Sequence, residues 1–317
     1  MAARASAEQL VAEALEGNRG VLGRLISLVE RGGPQARAVG RLTYPMGGQA
    51  YSVGVTGAPG SGKSTLTDRL IGEARDRGQE VGVLAVDPSS PFSGGAILGD
   101  RVRMQDHAVD PGVFIRSMAT RGHMGGLTLA VPEAIRVLDA AGMPMVLVET
   151  VGVGQVEIEV AGATDTTVVV VNPGWGDAVQ ANKAGVLEIA DILVINKADR
   201  PGARDTRRDL ALMLELSNFG EWRPPIVETV ASTGQGVVDL WGELDRHRAF
   251  QEERGALDRR RAQRLEEELR TIVTRRLEQR ADSLATSASY SSVRTAMIER
   301  KLDPYQAAEQ ILDGLAG

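Results

Sequence analysis

The sequence contains no cysteine, which removes disulfides, thiolate metal sites and cysteine nucleophiles together. Histidine is nearly absent. His107, His123 and His247 are the only imidazoles, and their wide spacing matches no structural zinc pattern. Aromatic residues are 3% of the chain, too few for the stacking platforms on which single-stranded nucleic acids lie. No long basic run interrupts a balance of 36 Lys and Arg against 42 Asp and Glu, a net charge of -6, so neither a nucleic-acid nor a membrane partner is expected. Long apolar runs are missing as well. Stretches such as 168–171 are far too short to span a bilayer, and Arg4, Glu8, Glu13 and Glu16 stand where a signal peptide would need its apolar core. The expected location is the cytoplasm.

Lysine is scarce in a more pointed way. Lys63, Lys183, Lys197 and Lys301 stand against thirty-two arginines. A chain that uses arginine almost everywhere keeps lysine where a compact ammonium on a flexible stem is needed, although genome composition alone also produces such a bias. Two of the four lie in the motifs below.

A length of 317 residues with 43% hydrophobic and 25% charged residues suits one large α/β domain with helical extensions. Residues 6–30 read as helix around a break at Gly17 and Asn18. From there short Val/Ile/Leu strands are expected at 51–56, 81–86, 113–115, 145–148, 167–171, 192–195 and 226–229, with helices at 65–77, 127–140, 178–189 and 203–216 between them. Continuous apolar strands alternating with crossovers predict a mainly parallel sheet with helices on both faces. Residues 257–277 carry an apolar stripe on a charged helix. A polar stretch at 286–292 follows, then a last helix with Asp303 as cap, Pro304 in its first turn and Gln306 three residues after the cap. This tail either packs on its own domain or embraces a second subunit. The expected division is a helical extension at 1–44, a nucleotide-binding domain at 45–250 and a helical arm at 251–317.

The strand at 51–56 runs into Gly57-Ala58-Pro59-Gly60-Ser61-Gly62-Lys63-Ser64-Thr65 and then into helix, the strand-loop-helix context that a phosphate loop requires. The glycines let backbone N–H groups turn inward around a β-phosphate, Lys63 reaches the β and γ oxygens, and the Ser64 hydroxyl is a ligand for Mg²⁺. The strand at 145–148 ends in Glu149-Thr150-Val151-Gly152, which places the Glu149 carboxylate at the same sheet edge for a water-mediated Mg²⁺ contact. Gly152 can offer its N–H to a γ-phosphate; the alternative is a plain strand-end Glu and a loop glycine.

The strand at 192–195 leads into Asn196-Lys197-Ala198-Asp199. A carboxylate at Asp199 can accept from both N1–H and the N2 amine of guanine, a pairing adenine lacks, and such a site rejects the wrong base by roughly 10⁴ to 10⁵. GTP or GDP is therefore the expected ligand. The Lys197 stem would pack on the base and Asn196 would tie the loops together. A further loop, Ala231-Ser232-Thr233-Gly234, follows the strand at 226–229 and offers a backbone N–H to guanine O6.

Four stretches carry a resemblance. Val86-Asp87-Pro88-Ser89-Ser90-Pro91, Gly94-Gly95-Ala96-Ile97-Leu98-Gly99-Asp100-Arg101, Arg116-Ser117-Met118-Ala119-Thr120-Arg121-Gly122-His123 and Glu149-Thr150-Val151-Gly152-Val153-Gly154-Gln155 are similar to the MeaB/MMAA/ArgK family of P-loop GTPases over about residues 45–240. The resemblance implies a homodimeric GTPase chaperone that gates cofactor loading and protects an adenosylcobalamin-dependent acyl-CoA mutase, typically methylmalonyl-CoA mutase. It places Asp87 and Asp100 in the Mg²⁺ and switch region, and a third switch over Asn172-Pro173-Gly174-Trp175-Gly176-Asp177 through Lys183. From the residues alone, Asp87 and Asp100 are either metal-side acids or loop acids in solvent. Gln155 is a candidate for orienting the attacking water. Arg116, Arg121 and His123 are candidates for sensing the γ-phosphate or for anchoring loops. Two other classes compete: an ATP-using kinase or ATPase linked to basic amino-acid transport, and a metal-inserting GTPase chaperone.

Overall fold

The computed structural model describes residues 6–88, 107, 109–120, 126–150, 155–174, 188–284 and 288–313. Residues 87, 88, 119, 120, 126–128, 155–157, 284, 288, 289 and 313 are described by backbone alone. Among the described residues no helix is long and apolar enough to cross a membrane.

Seven strands, β1 (Tyr51–Gly57), β2 (Val81–Pro88), β3 (Val113–Thr120), β4 (Met145–Thr150), β5 (Thr166–Val171), β6 (Ile192–Asn196) and β7 (Ile226–Thr229), form one sheet in the order β3-β2-β4-β1-β5-β6-β7. Every neighbouring pair is parallel. The strands read as near-unbroken Val/Ile/Leu because both faces are covered. Val53, Val55, Val83, Leu147, Val168 and Val194 pack under α4 (Lys63–Asp76) and α8 (Val237–Glu253). On the other face Leu84, Val86, Val146 and Val148 pack under α5 (Gly126–Ala140) and α6 (Gln155–Ala163), and Val169, Val171, Leu193 and Ile195 under α7 (Ala203–Leu216). All seven expected strands are present, and the fold is the parallel α/β architecture read from the sequence.

Three helices precede the sheet: α1 (Ala7–Leu15), α2 (Arg19–Arg31) and α3 (Pro34–Thr43). The break at Gly17 and Asn18 is where the sequence placed it, and Asn18 caps α2 through a bond from Val21 N–H. Helix α3 was not anticipated. It lies inside the helical extension expected at 1–44 but beyond the helix read at 6–30, and Pro34 occupies its first turn, where the missing N–H costs nothing. Helix α2 packs on α5, and Arg19 donates to the Asp110 and Val113 carbonyls, so these helices are an added layer on the sheet's outer helices.

The amino-terminal edge of the sheet is closed by a buried polar cluster. Asp165, just before β5, accepts at Oδ2 from the Ser52 N–H and the Ser52 hydroxyl at 3.0 Å each, and its carboxylate is gripped by Arg261 Nε at 3.1 Å and Nη2 at 2.8 Å. Arg261 also donates to the Gly48 and Ala50 carbonyls. Asp191, just before β6, accepts from Thr167 N–H and from Arg260. His247 lies 2% exposed with Nδ1 at 2.8 Å from Thr166 Oγ1 and Nε2 at 3.5 Å from Asp191. Burial lowers the His247 pKa from its ordinary 6.5 against the attraction of Asp191, so the ring is held neutral. Burial likewise pushes the Tyr51 hydroxyl up, and it accordingly serves as a donor to Gln251 Oε1.

By contacts the chain divides into two units, 1–261 and 262–317. The first holds the sheet, α1 to α8 and the start of α9 (Ala256–Leu284). The second holds the rest of α9 with α10 (Ala288–Ile298) and α11 (Pro304–Asp313). On α9, Leu265, Leu269, Val273 and Leu277 form an exposed row four residues apart. Helix α10 starts inside the stretch expected to be a polar spacer, with Ser291 and Ser292 exposed and Thr295 Oγ1 donating back along the helix to Ser291 O. Asp303 caps α11 as expected, accepting from the Tyr305 and Gln306 N–H groups.

Candidate nucleotide site

The loop after β1 lies at the carboxyl edge of the central strand, between β4 and β5. Gly57 has φ +133, and a Cβ there would fall 2.0 Å from the Val170 carbonyl oxygen, so only glycine lets the loop leave the sheet. Gly62 has φ +93, and its Cβ would lie 2.3 Å from Asn196 Nδ2. It precedes α4 without a side-chain cap, leaving the first N–H groups of that helix for an anion. Lys63 is 6% exposed, and its ammonium donates to Gly57 O at 2.6 Å and Ala58 O at 3.0 Å. Pro59, Gly60 and Thr65 face solvent, and the Ser61 hydroxyl is buried without a hydrogen-bond partner among the described residues.

Ser64 Oγ donates to Glu149 Oε1 at 2.5 Å, and both residues are buried. The pairing of Val55 with Glu149 brings β4's end level with the phosphate loop. Asp87, paired with Ala119, is the last residue but one of β2 at the same edge, described by backbone alone. Gln155 opens α6, again by backbone alone, so it stands on a helix. Asp100, Arg121, His123, Gly152, Trp175 and Lys183 lie outside the described residues. Arg116 is turned away from this edge's loops, with Nη2 donating to Ser27 Oγ of α2 at 2.7 Å.

Asn196 joins three segments. Its Nδ2 donates to Ser61 O at 2.8 Å, and its Oδ1 accepts from Thr229 Oγ1 at 3.2 Å and from Ala231 N–H at 3.0 Å. Lys197 takes φ +59, a conformation rare outside glycine, and its ammonium donates to Gly60 O at 2.6 Å, so its stem crosses from the β6 loop to the phosphate loop. Asp199 is exposed on the same turn. Ala231 is buried, while Ser232 and Thr233 are exposed. The sequence reading missed Arg69 on α4, which donates to the carbonyls of Ala231 and Ser232. No local pattern marks it, because its partners stand more than 160 residues away.

A glycine loop feeding a buried lysine, a hydroxyl–carboxylate pair at the next strand's end and an Asn-Lys-x-Asp turn beside them define a P-loop GTPase. Comparison with known proteins carries this further. Residues 22–286 match the family model described as methylmalonyl-CoA mutase-associated GTPase MeaB, and the chain belongs to that family. It is 50% identical over 314 residues to a Pyrococcus abyssi protein whose name proposes a GTPase, covering 98% of this chain and 97% of that one. It is 37% identical over 235 residues to the Escherichia coli GTPase ArgK, covering 71% of each, and 32% identical over 277 residues to the mitochondrial methylmalonic aciduria type A homolog of Caenorhabditis elegans, covering 77% of this chain and 69% of the relative. A crystal structure of an LAO/AO transport system kinase superposes with a TM-score of 0.72 at 26% identity, over the whole of both chains.

Proposed function

We propose that this GTPase serves an adenosylcobalamin-dependent acyl-CoA mutase, the methylmalonyl-CoA enzyme that the family's name gives, and that it gates cofactor loading as a homodimer built on its carboxyl-terminal helices. The observation that carries the reading is the match of 265 consecutive positions, residues 22–286, to a family described by its association with that mutase.

In this reading the phosphate loop N–H groups and Lys63 bind the β- and γ-phosphates of GTP. The Ser64 hydroxyl and the Glu149 carboxylate are hard oxygen donors side by side, a set that suits Mg²⁺, which also keeps water and phosphate oxygens as ligands. Mg²⁺, when bound, neutralises charge on the phosphate oxygens. Asp87 and Asp100 support that side of the site, the Gly152 N–H meets the γ-phosphate, and Gln155 orients the attacking water. Gln155 stands three positions beyond Gly152 and no arginine finger is evident in the sequence, so basal hydrolysis is expected to be slow, on the order of 10⁻⁴ to 10⁻² s⁻¹, and faster with the partner bound. Asp199 reads N1–H and N2 of guanine, Lys197 covers the base, and the loop Ala231-Ser232-Thr233 reads O6.

Asp199→Asn tests the base. The amide keeps an acceptor for N1–H but turns a donor toward the N2 amine, so GTP should weaken by at least roughly 2 to 4 kcal/mol while XTP, with a carbonyl at C2, is gained and ATP stays rejected. Unchanged GTP affinity in competition binding would reduce the turn to a structural corner. Tight ATP binding by the native chain would favour the second reading, a transport-linked kinase, which the description of the structural relative suggests. Co-purification with mutase and cobalamin tests the partner.

A further inference from the structure

We infer that Arg69 is a positioning residue for guanine recognition, turning the Ser232 N–H toward the O6 carbonyl of the base. The inference rests on the base reading proposed above.

Arg69 stands on α4, six residues beyond Lys63 and so nearly two turns from the phosphate loop. Its Nε donates to Ala231 O at 2.9 Å and its Nη2 to Ser232 O at 2.9 Å. A guanidinium presents donors in a rigid plane, so two successive carbonyls held by one side chain have little freedom to rotate. A trans peptide is planar and its C=O and N–H point in opposite directions. Fixing the Ala231 carbonyl toward Arg69 therefore fixes the Ser232 N–H away from it.

The other N–H groups of the loop are already spent. Ala231 N–H goes to Asn196 Oδ1, Thr233 N–H and Gly234 N–H go to Val230 O, and Gln235 N–H reaches Thr233 Oγ1. Among the described residues Ser232 is the one member of 231–235 whose N–H makes no such bond, and it lies on an exposed residue next to the turn that carries Asp199. A cation on the Ala231 carbonyl also polarises the shared peptide unit, which strengthens its N–H as a donor. Lysine in place of Arg69 would supply a point charge without the two-carbonyl fork.

The test uses nucleoside diphosphates and the full chain. GDP and inosine diphosphate carry O6 and the N1–H, whereas 2-aminopurine riboside diphosphate keeps the N2 amine and lacks both, so its weaker starting affinity is the reference against which its own change is read. Arg69→Ala should weaken GDP and inosine diphosphate by about tenfold, the scale of one charge-assisted bond, and 2-aminopurine riboside diphosphate by less than about twofold. Arg69→Lys should recover part of the loss for the two O6 nucleotides alone. Equal weakening of all three, or of none, overturns the inference, because a role limited to stiffening the loop has no reason to follow O6. Thermal melting without nucleotide checks that the variant folds; should Arg69→Ala lose its transition, Arg69→Gln carries the same comparison. Asp199→Asn, run in parallel, separates the two levels. If it gains xanthosine diphosphate while Arg69→Ala shows no dependence on O6, only the role of Arg69 falls. If Asp199→Asn leaves GDP untouched, the base reading and the role of Arg69 fall together.

Discussion

The two edges of one sheet use polar residues in opposite ways. At the carboxyl edge the polar chemistry comes from backbone groups and from few side chains, Lys63, Ser64, Glu149, Asn196 and Lys197, several of which bond the loops' own carbonyls. At the amino edge Tyr51, Asp165, Thr166, Asp191, His247, Gln251, Arg260 and Arg261 mostly satisfy one another. Buried polar groups that find their partners inside the fold contribute to holding it, whereas loops framed around a glycine cradle leave donors for something else to meet. Charge and burial alone do not separate a site from a clamp; the direction in which donors are left does.

The largest expected effect tests the clamp. Asp165→Ala takes the acceptor from Ser52 N–H, from the Ser52 hydroxyl and from Arg261 at once. Unfolding in urea should show a loss of about 3 to 5 kcal/mol, while GTP turnover per folded molecule stays within about twofold. A comparable fall in turnover would mean that the two edges are not separable.

Lys63→Ala is the converse. Removing a charge aimed at the developing phosphoryl charge should lower single-turnover hydrolysis at least roughly 10²-fold, with only a small shift of the unfolding midpoint. Normal hydrolysis would sink the catalytic assignment.

The smallest effect concerns His247. Its pKa lies below 6.5 in the fold, so the unfolded chain binds a proton that the folded chain refuses. Stability is therefore full above about pH 6.5 and falls as the pH drops from there toward the folded pKa. In His247→Gln the decline in melting temperature between pH 7 and 5 should be shallower than in the native chain. Parallel curves would show that the ring does not titrate in this way.

Those contrasts also explain what the sequence made legible. The phosphate loop and the Asn-Lys-x-Asp turn are contiguous, so their spacing exposed the site, and the unbroken Val/Ile strands exposed the sheet. The amino-edge cluster is drawn from positions 51 to 261, and no pattern within a window links Ser52 to Asp165 or Asp165 to Arg261. Arg69 was hidden for the same reason. Helix α3 was missed because Gly33 and Pro34 punctuate loops and helix starts alike, and α10 because its serines suggested a spacer although Ser291 and Ser292 stand exposed on a helix.

The root of α9 has a practical bearing on where this chain tolerates being cut. Gln251, Arg260 and Arg261 hold Asp165 and Asp191 from beyond the last strand by 22 residues or more. A shortened chain that stops at 250 exposes two carboxylates that evolved under cover, whereas one that stops after 261 keeps the sheet's lower rim sealed. Splicing a different tail onto residue 261 would thus leave the nucleotide-binding body whole, and the amino acids between 251 and 261 travel with the sheet rather than with whatever follows them.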